Sequence, residues 1–85
     1  MIASIYTQNP ERIMKRLNRH WAHKFPVLEN EFESRIELPI GICTMRCDEV
    51  LHVGLESSED DMPKLQQVVA DHLQRMAGAE DLVIE

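Results

Sequence analysis

The sequence predicts an α+β fold, a two-layer sandwich in which two helices pack on one face of a mainly antiparallel sheet of four to six strands. The first observation is a change of hydrophobic period. Apolar residues recur about every four positions in two segments, and every second position between them. The second observation is that each helical segment has only one apolar face. Packing both helices on one sheet face buries this surface, so the predicted order is strand, helix, three or four strands, helix, strand.

The first strand and the first helix are predicted within the first 25 residues. Residues 2–6 are rich in β-branched and aromatic side chains, which favours a strand. Asn9 is expected to cap the helix, with Pro10 at its first position. Pro26 is expected to end the helix near Lys24. The apolar face of this helix is formed by Ile13, Met14, Leu17 and Trp21.

Three strands are predicted in the middle of the chain, where apolar and polar residues alternate. Asp48 and Glu49 are expected to form a hairpin turn, so that the three strands make an antiparallel meander. Val27 and Leu28 are candidates for an additional short strand. The inward residues are predicted to be Ile36, Leu38 and Ile40, then Cys43, Met45 and Cys47, then Leu51, Val53 and Leu55.

The second helix is predicted to begin after the polar segment 57–61 and to end at Gly78. Serine and aspartate side chains in that segment supply capping oxygens and negative charge at the helix start. Gly78 tolerates the left-handed conformation that ends many helices. Residues 82–84 are apolar and are expected to form the last strand. One stripe of the helix carries Leu65, Val69, His72 and Met76.

The length of 85 residues indicates a single domain, residues 1–85, with one core. The net charge is −6, from 9 lysine and arginine residues against 15 aspartate and glutamate residues. Long-range repulsion by this excess disfavours nucleic acid as a partner. No apolar run approaches the ~20 residues that cross a bilayer, and no signal peptide is recognised. We therefore expect a cytoplasmic protein that does not bind membranes.

The most coherent surface feature is a basic face on the first helix, defined by Arg12, Lys15, Arg16, Arg19 and His23. On an α-helix these residues fall within about a third of the circumference, opposite the apolar face. No acidic residue occurs between residues 12 and 24. The functional interpretation is a surface that binds an acidic partner or an anionic small molecule. The alternative is a solvated face whose charges pair with some of the acids.

Histidines are candidates for metal or anion binding. His20 and His23 lie three positions apart on the first helix, close enough to share a metal ion. If the two helices are neighbours, His72 on the second helix faces His20. These three residues are therefore weak candidates for metal ligands. The alternative places His20 and His72 at the edge of the core, because the spacing lacks the i, i+4 pair of helical zinc sites.

Cys43 and Cys47 lie on one predicted strand, where four residues span about 13 Å at ~3.3 Å each. A disulfide requires α-carbons within about 7 Å, so these two cysteines do not bond to each other. We expect both to be inward core thiols. Cys43 is nevertheless the candidate nucleophile of a thiol-dependent enzyme, which would require a nearby cation to lower its pKa.

Three segments of the chain resemble a small bacterial family of unknown function. They read RHWAHKF at 19–25, RIELPIG at 35–41 and LQQVVADHLQRM at 65–76. Members of that family occur alone, or beside or fused to siderophore-interacting flavoproteins, which are cytoplasmic reductases that release iron from ferric siderophores. The resemblance implies an α+β fold and an iron–siderophore context by association, and it implies no catalytic residues. The chain departs from the family at residues 76–80, where an aromatic and a basic residue are expected, and it lacks a closing tryptophan.

Three functions are open at the level of sequence. The first is an accessory or binding domain that acts through the basic face, with a siderophore-interacting flavoprotein or an anionic small molecule as its partner. The second is a small metal- or thiol-dependent enzyme that uses His20, His23, His72 or Cys43. The third is a homodimerisation module without a ligand. The sequence identifies no cofactor and no oligomeric state.

Overall fold

The fold is a six-stranded sheet with two helices, seen in a computed structural model that describes residues 2–84. Along the chain the elements are β1 (Ile2–Tyr6), α1 (Pro10–Ala22), β2 (Val27–Glu29), β3 (Glu33–Leu38), β4 (Gly41–Cys47), β5 (Leu51–Glu56), α2 (Met62–Ala77) and β6 (Val83–Ile84). The strand order across the sheet is β2-β3-β4-β5-β1-β6, and each adjacent pair is antiparallel. The predicted fold class and element order are confirmed. No helix within residues 2–84 has the length and apolar character needed to cross a membrane.

The core lies between the helices and one face of the sheet. In the strand register Cys43 pairs with Ile36 on one side and Leu55 on the other, and Met45 pairs with Val53 in the neighbouring row. Paired residues point to the same side of a sheet, so these buried side chains define the covered face. The helices contribute the buried apolar side chains of Ile13, Met14, Leu17, Trp21, Leu65, Val69 and Leu73.

The connection between β3 and β4 differs from the prediction. The alternating pattern predicts Ile40 as an inward strand residue, whereas β3 ends at Leu38 and Ile40 lies in the turn. Leu38 pairs with Gly41, so the chain reverses over two residues. One of them, Pro39, has no N–H with which to extend a strand ladder. A Cβ at Gly41 would collide with the carbonyl oxygen of Glu56, so glycine permits this close approach.

The end of α1 also differs from the prediction. The helix ends at Ala22 rather than near Lys24. The amides of Lys24 and Phe25 both donate to the carbonyl oxygen of Trp21, at 3.0 and 2.8 Å, which closes the helix in a turn. Pro26 disfavours helical geometry at Phe25, and the chain leaves the helix before that residue.

The helix caps are confirmed in part. The side chain of Asn9 makes no capping hydrogen bond, and its backbone N–H instead donates to the hydroxyl of Thr7 at 3.1 Å. At the start of α2, the hydroxyl of Ser58 accepts a hydrogen bond from the amide of Asp61 at 3.2 Å. Gly78 closes α2 with φ of +67°, a backbone conformation that favours glycine.

Candidate functional site

The basic face of α1 is exposed to solvent along its whole length. Two of its five side chains are engaged within the fold. Lys15 Nζ donates to Glu11 Oε1 at 2.7 Å, one helical turn earlier, and this hydrogen bond raises the pKa of Lys15. Arg16 Nη1 donates to the carbonyl oxygen of Met76 at 3.0 Å, at the C-terminal end of α2. Arg16 therefore stabilises a helix end, where unpaired carbonyl groups carry partial negative charge.

The other three side chains of the basic face are unpaired. Arg12, Arg19 and His23 make no side-chain hydrogen bond or ion pair with any residue among those the structure describes. Within the same part of the chain, Glu11 is the one acid that pairs with the face. Two guanidinium groups and an imidazole thus remain available to a partner from outside the chain.

Shallow grooves border the basic face on both sides. Arg12 and Arg16 line a groove of about 260 Å³ together with residues 76–80. The carboxylate of Glu80 lies in this groove, but it accepts hydrogen bonds from the Thr7 hydroxyl at 2.7 Å and from the Gln8 amide at 3.0 Å. Residues 76–80, where the chain departs from the resembled family, therefore form one wall of the groove beside the basic face. On the other side, a cleft of about 370 Å³ separates α1 from β2.

The structure brings two of the three candidate histidines together. The ring centroids of His20 and His72 are 5.4 Å apart, and the ring of Trp21 lies 4.9 Å from that of His72. His72 Nδ1 lies 2.7 Å from the carbonyl oxygen of Val68, to which it donates as the protonated nitrogen. His23 lies at the C-cap of α1 and makes no such ring contact with any residue from 2 to 84. Within residues 2–84, no three His, Cys, Asp or Glu side chains are grouped to hold a metal ion.

Both cysteines are buried free thiols on the covered face of the sheet, as predicted. Burial raises the pKa of Cys43 from its ordinary value of 9.0 to about 12. Burial also raises the pKa of Cys47, with smaller contributions from the carboxylates of Glu11 and Asp48. The Cys47 thiol lies 3.5 Å from the sulfur of Met14. A raised pKa disfavours the thiolate, which is the nucleophilic form, so neither cysteine is activated.

The uncovered face of the sheet is not among the sites expected from the sequence. At its centre Gly54 has no side chain, which leaves a shallow depression of about 790 Å³. A Cβ at Gly54 would lie 2.6 Å from the Thr44 hydroxyl oxygen. Arg35 pairs with Thr44 and Arg46 pairs with His52 across the strands, so two cations border the depression, together with three glutamates, Glu29, Glu33 and Glu56. The signal in the sequence was the outward set of the alternating pattern, which carries Gly54, the two arginines and the residues paired with them.

One of the two arginines at this depression is paired with an acid. The carboxylate of Asp48 lies 3.4 Å from Arg46 Nη1 and 3.0 Å from His52 Nε2. The Val50 amide, which donates to the same carboxylate, and then His52 lower the pKa of Asp48. Arg46 therefore has a partner within the fold, in contrast with Arg12 and Arg19 on α1.

Comparison with known proteins gives a family and a solved structure. The family model described as an uncharacterised protein conserved in bacteria, DUF2218, matches residues 2–85. The NMR structure of PA4090 from Pseudomonas aeruginosa is similar, with a TM-score of 0.74 and 32% sequence identity over 99% of this chain and 93% of that chain. No curated protein matches the chain.

Proposed function

We propose that this chain, which belongs to the DUF2218 family of bacterial proteins, is a binding domain rather than an enzyme, and that the basic face of α1 docks on an acidic surface of a partner protein. The observation that carries the proposal is the unpaired state of Arg12 and Arg19. The chain holds fifteen acids, yet neither guanidinium contacts one of them among the described residues. Exposed arginines contribute little to folding, so they are free to contribute to association.

The distribution of charge supports an oriented encounter. The net charge of −6 repels an acidic partner, whereas the segment 12–24 contains five lysine and arginine residues and no acid. A partner with an acidic patch is therefore attracted most strongly to the side of the molecule that carries this segment. Complementary charge mainly accelerates association and fixes the docking register, and it weakens as salt rises.

The partner that we propose is a siderophore-interacting flavoprotein, in the cytoplasm. The support is the resemblance of residues 19–25, 35–41 and 65–76 to a family whose members occur beside or fused to such reductases. An anionic ferric siderophore is the small-molecule form of the same proposal, because its negative charge suits the same guanidinium groups. Both forms place the chain in iron–siderophore handling.

The test reverses the two unpaired arginines and leaves Arg16 in place, because Arg16 holds the end of α2. The ¹⁵N-labelled protein is titrated with a purified siderophore-interacting flavoprotein and, separately, with a ferric tricatecholate complex. We expect amide shifts along α1, a loss of at least tenfold in affinity for Arg12→Glu/Arg19→Glu, and weaker binding as salt rises. The matched control is Lys64→Glu/Arg75→Glu, which makes the same change of net charge on exposed residues of α2. Shifts confined to another surface, equal losses in both variants, or no response to either titrant would refute the proposal.

The uncovered face of the sheet supports a second candidate function, homodimerisation. Four large apolar side chains are exposed on this face: Ile2 at 82%, Leu28 at 71%, Val83 at 55% and Tyr6 at 45%. Ile2, Tyr6 and Val83 lie on the neighbouring strands β1 and β6, whereas Leu28 lies at the opposite edge of the sheet. A patch of neighbouring exposed apolar side chains often marks a protein interface. Sedimentation over a hundredfold range of concentration tests this candidate. A dimer that Tyr6→Glu dissociates supports it, and a monomer at every concentration refutes it.

A further inference from the structure

Asn18 is a polar residue on the buried side of α1. It is 1% exposed and lies next to Leu17, on the side of the helix that faces the sheet. Both polar atoms of its carboxamide, Nδ2 and Oδ1, are buried and have no hydrogen-bond partner among the described residues. A buried donor or acceptor without a partner is costly, because it has lost its water without gaining a replacement. The carboxamide of Asn18 therefore has a donor group, the Nδ2 amide, and an acceptor, Oδ1, that both lack a partner.

A cleft beside Asn18 is large enough to hold a ligand. Asn18 lines the cleft of about 370 Å³ between α1 and β2, and this volume is within the range of small-molecule sites. Lys15 and Arg19 line the same cleft from α1, one turn and one residue away from Asn18. Both side chains are exposed. Lys15 is held by an exposed ion pair with Glu11, which a ligand carboxylate can replace, and Arg19 has no partner within residues 2–84. The carboxamide is shielded from solvent in the present arrangement, so a ligand that contacts it must displace the side chains that cover it.

The opposite wall of the cleft is formed by β2. Glu29 lines the cleft, and in the strand register it pairs with Ser34 of β3. Ser34 is 6% exposed, and its hydroxyl also lacks a partner among the described residues. Two unsatisfied polar side chains thus lie at the same α1–β2–β3 corner of the fold, beside two cations and one carboxylate.

These groups define the chemistry of a ligand. Two cations on one wall suit a carboxylate. The carboxamide of Asn18 needs a group that can both donate and accept, which a hydroxyl does. Glu29 repels an anion, but it accepts a hydrogen bond from a hydroxyl. A simple anion accepts from the cations and from Asn18 Nδ2 but offers nothing to the two acceptors, Asn18 Oδ1 and Glu29, whereas the hydroxyl of a hydroxylated carboxylate has a proton to donate to one of them.

We propose that the cleft between α1 and β2 binds a small hydroxylated carboxylate, with its carboxylate on Lys15 and Arg19 and its hydroxyl on Asn18 and Glu29. This site goes beyond the docking role of the basic face, since it requires neither iron nor a protein partner. It shares Lys15 and Arg19 with that face, while Arg12 belongs to the docking role alone.

The experiment uses a matched pair of tricarboxylates, citrate and tricarballylate, which differ by the hydroxyl group. Each is titrated at constant ionic strength into the ¹⁵N-labelled full chain, and the side-chain NH₂ signals of Asn18 are followed. We expect citrate to shift these signals and to bind at least tenfold more tightly than tricarballylate. Equal affinities for the two compounds, or Asn18 signals that do not move, would overturn the proposal. The wild-type titration decides the question even if a variant fails to fold.

A pair of variants separates this site from the docking surface. Asn18→Leu is expected to weaken citrate binding at least tenfold while leaving the salt-dependent docking of a partner protein intact. Arg12→Ala is expected to do the reverse. Citrate binding that survives Asn18→Leu unchanged would contradict the site and would leave the proposed docking function untouched.

Discussion

The two sides of α1 differ in composition, exposure and role. The side that faces the sheet carries Ile13, Leu17 and Trp21, none of which is more than 3% exposed. The opposite side carries the basic face, on which Arg12 and Arg19 are exposed and unpaired among residues 2–84. Burial of apolar area stabilises a fold, whereas isolated exposed charges contribute little. We therefore expect substitutions on the first side to change stability and substitutions on the second to change binding.

Two residues do not follow this division. Asn18 is polar and lies on the buried side, where its carboxamide has no partner among the described residues. Arg16 is charged and lies on the basic face, yet it holds the carbonyl oxygen of Met76. One residue on each side of α1 thus departs from this division, and substitutions on the two sides are expected to differ most in their effect on stability.

The buried side should show the largest effect at Trp21. Trp21→Ala removes a side chain that is 3% exposed and packs against the ring of His72. We expect a loss of about 3–5 kcal/mol in the free energy of unfolding, enough to unfold a domain of this size. Urea denaturation followed by circular dichroism measures the loss, with Trp21→Phe as a control that should lose less. A loss below about 1 kcal/mol would place Trp21 outside the core.

The covered face of the sheet belongs to the same core as the buried side of α1. The pH dependence of the free energy of unfolding tests the burial of Cys43 on that face. Well below pH 9.0 the thiol is protonated in both the folded and unfolded chains, so its full contribution to the free energy of unfolding is present. Between pH 9.0 and about 12 only the unfolded chain ionises, so stability falls as pH rises. The expected loss from this one group is about 1 kcal/mol between pH 9 and pH 10.

The control for this pH dependence is Cys43→Val, which keeps an apolar side chain and removes the titrating group. Other groups titrate above pH 9, so the quantity that matters is the difference between the two chains in free energy of unfolding. We expect the wild type to lose more stability than the variant over that interval. Parallel pH profiles would show that Cys43 is accessible to solvent.

Arg16 sharpens the comparison because its side chain, on the basic face, bonds to a group on the other helix. Arg16→Ala removes the hydrogen bond to Met76, and we expect a loss of about 0.5–1 kcal/mol in the free energy of unfolding. Arg12→Ala is the matched control on the same face, with no such contact among residues 2–84. Chemical denaturation of both variants measures the difference. Identical stabilities would mean that the cap on α2 contributes nothing in solution.

The smallest expected effect on stability belongs to Arg12 and Arg19. Arg12→Ala/Arg19→Ala should change the free energy of unfolding by less than about 0.5 kcal/mol, because neither guanidinium has a partner in the described part of the fold. The midpoint of thermal or urea denaturation checks this value. A clear destabilisation would show that these charges serve the fold, and it would weaken the case that they are free for a partner.

The alternation of side chains made the sheet predictable. Inward residues from Cys43 to Leu55 lie on the covered face as the period of two indicates, since successive strand residues point to opposite sides. The helices were predictable because their apolar stripes recur within a few residues. The ends of elements were less predictable. Ile40 fits the alternation but lies in a turn, because Pro39 and Gly41 allow the chain to reverse there.

The candidate site was predictable only as a set of charges. The helical period places Arg12, Arg16 and Arg19 on one exposed side, and this much follows from local sequence. Whether each charge is free depends on groups that are distant in sequence. Arg16 is engaged by a carbonyl group 60 positions away, and the ring contact between His20 and His72 spans two helices.

The sequence by itself determined the fold class, the order of elements, the covered face and the basic side of α1, because these depend on short-range periodicity and on the need to bury apolar surface. The tertiary structure alone decided which polar groups remain without partners. Arg12 and Arg19 are free, Arg16 is bound, and Asn18 is buried beside a cleft with both polar atoms unsatisfied among the described residues. The physical reason is that a hydrogen bond or an ion pair requires two groups to lie within a few ångströms of each other. Such contacts join segments that are far apart in sequence, and local sequence patterns do not predict which segments meet.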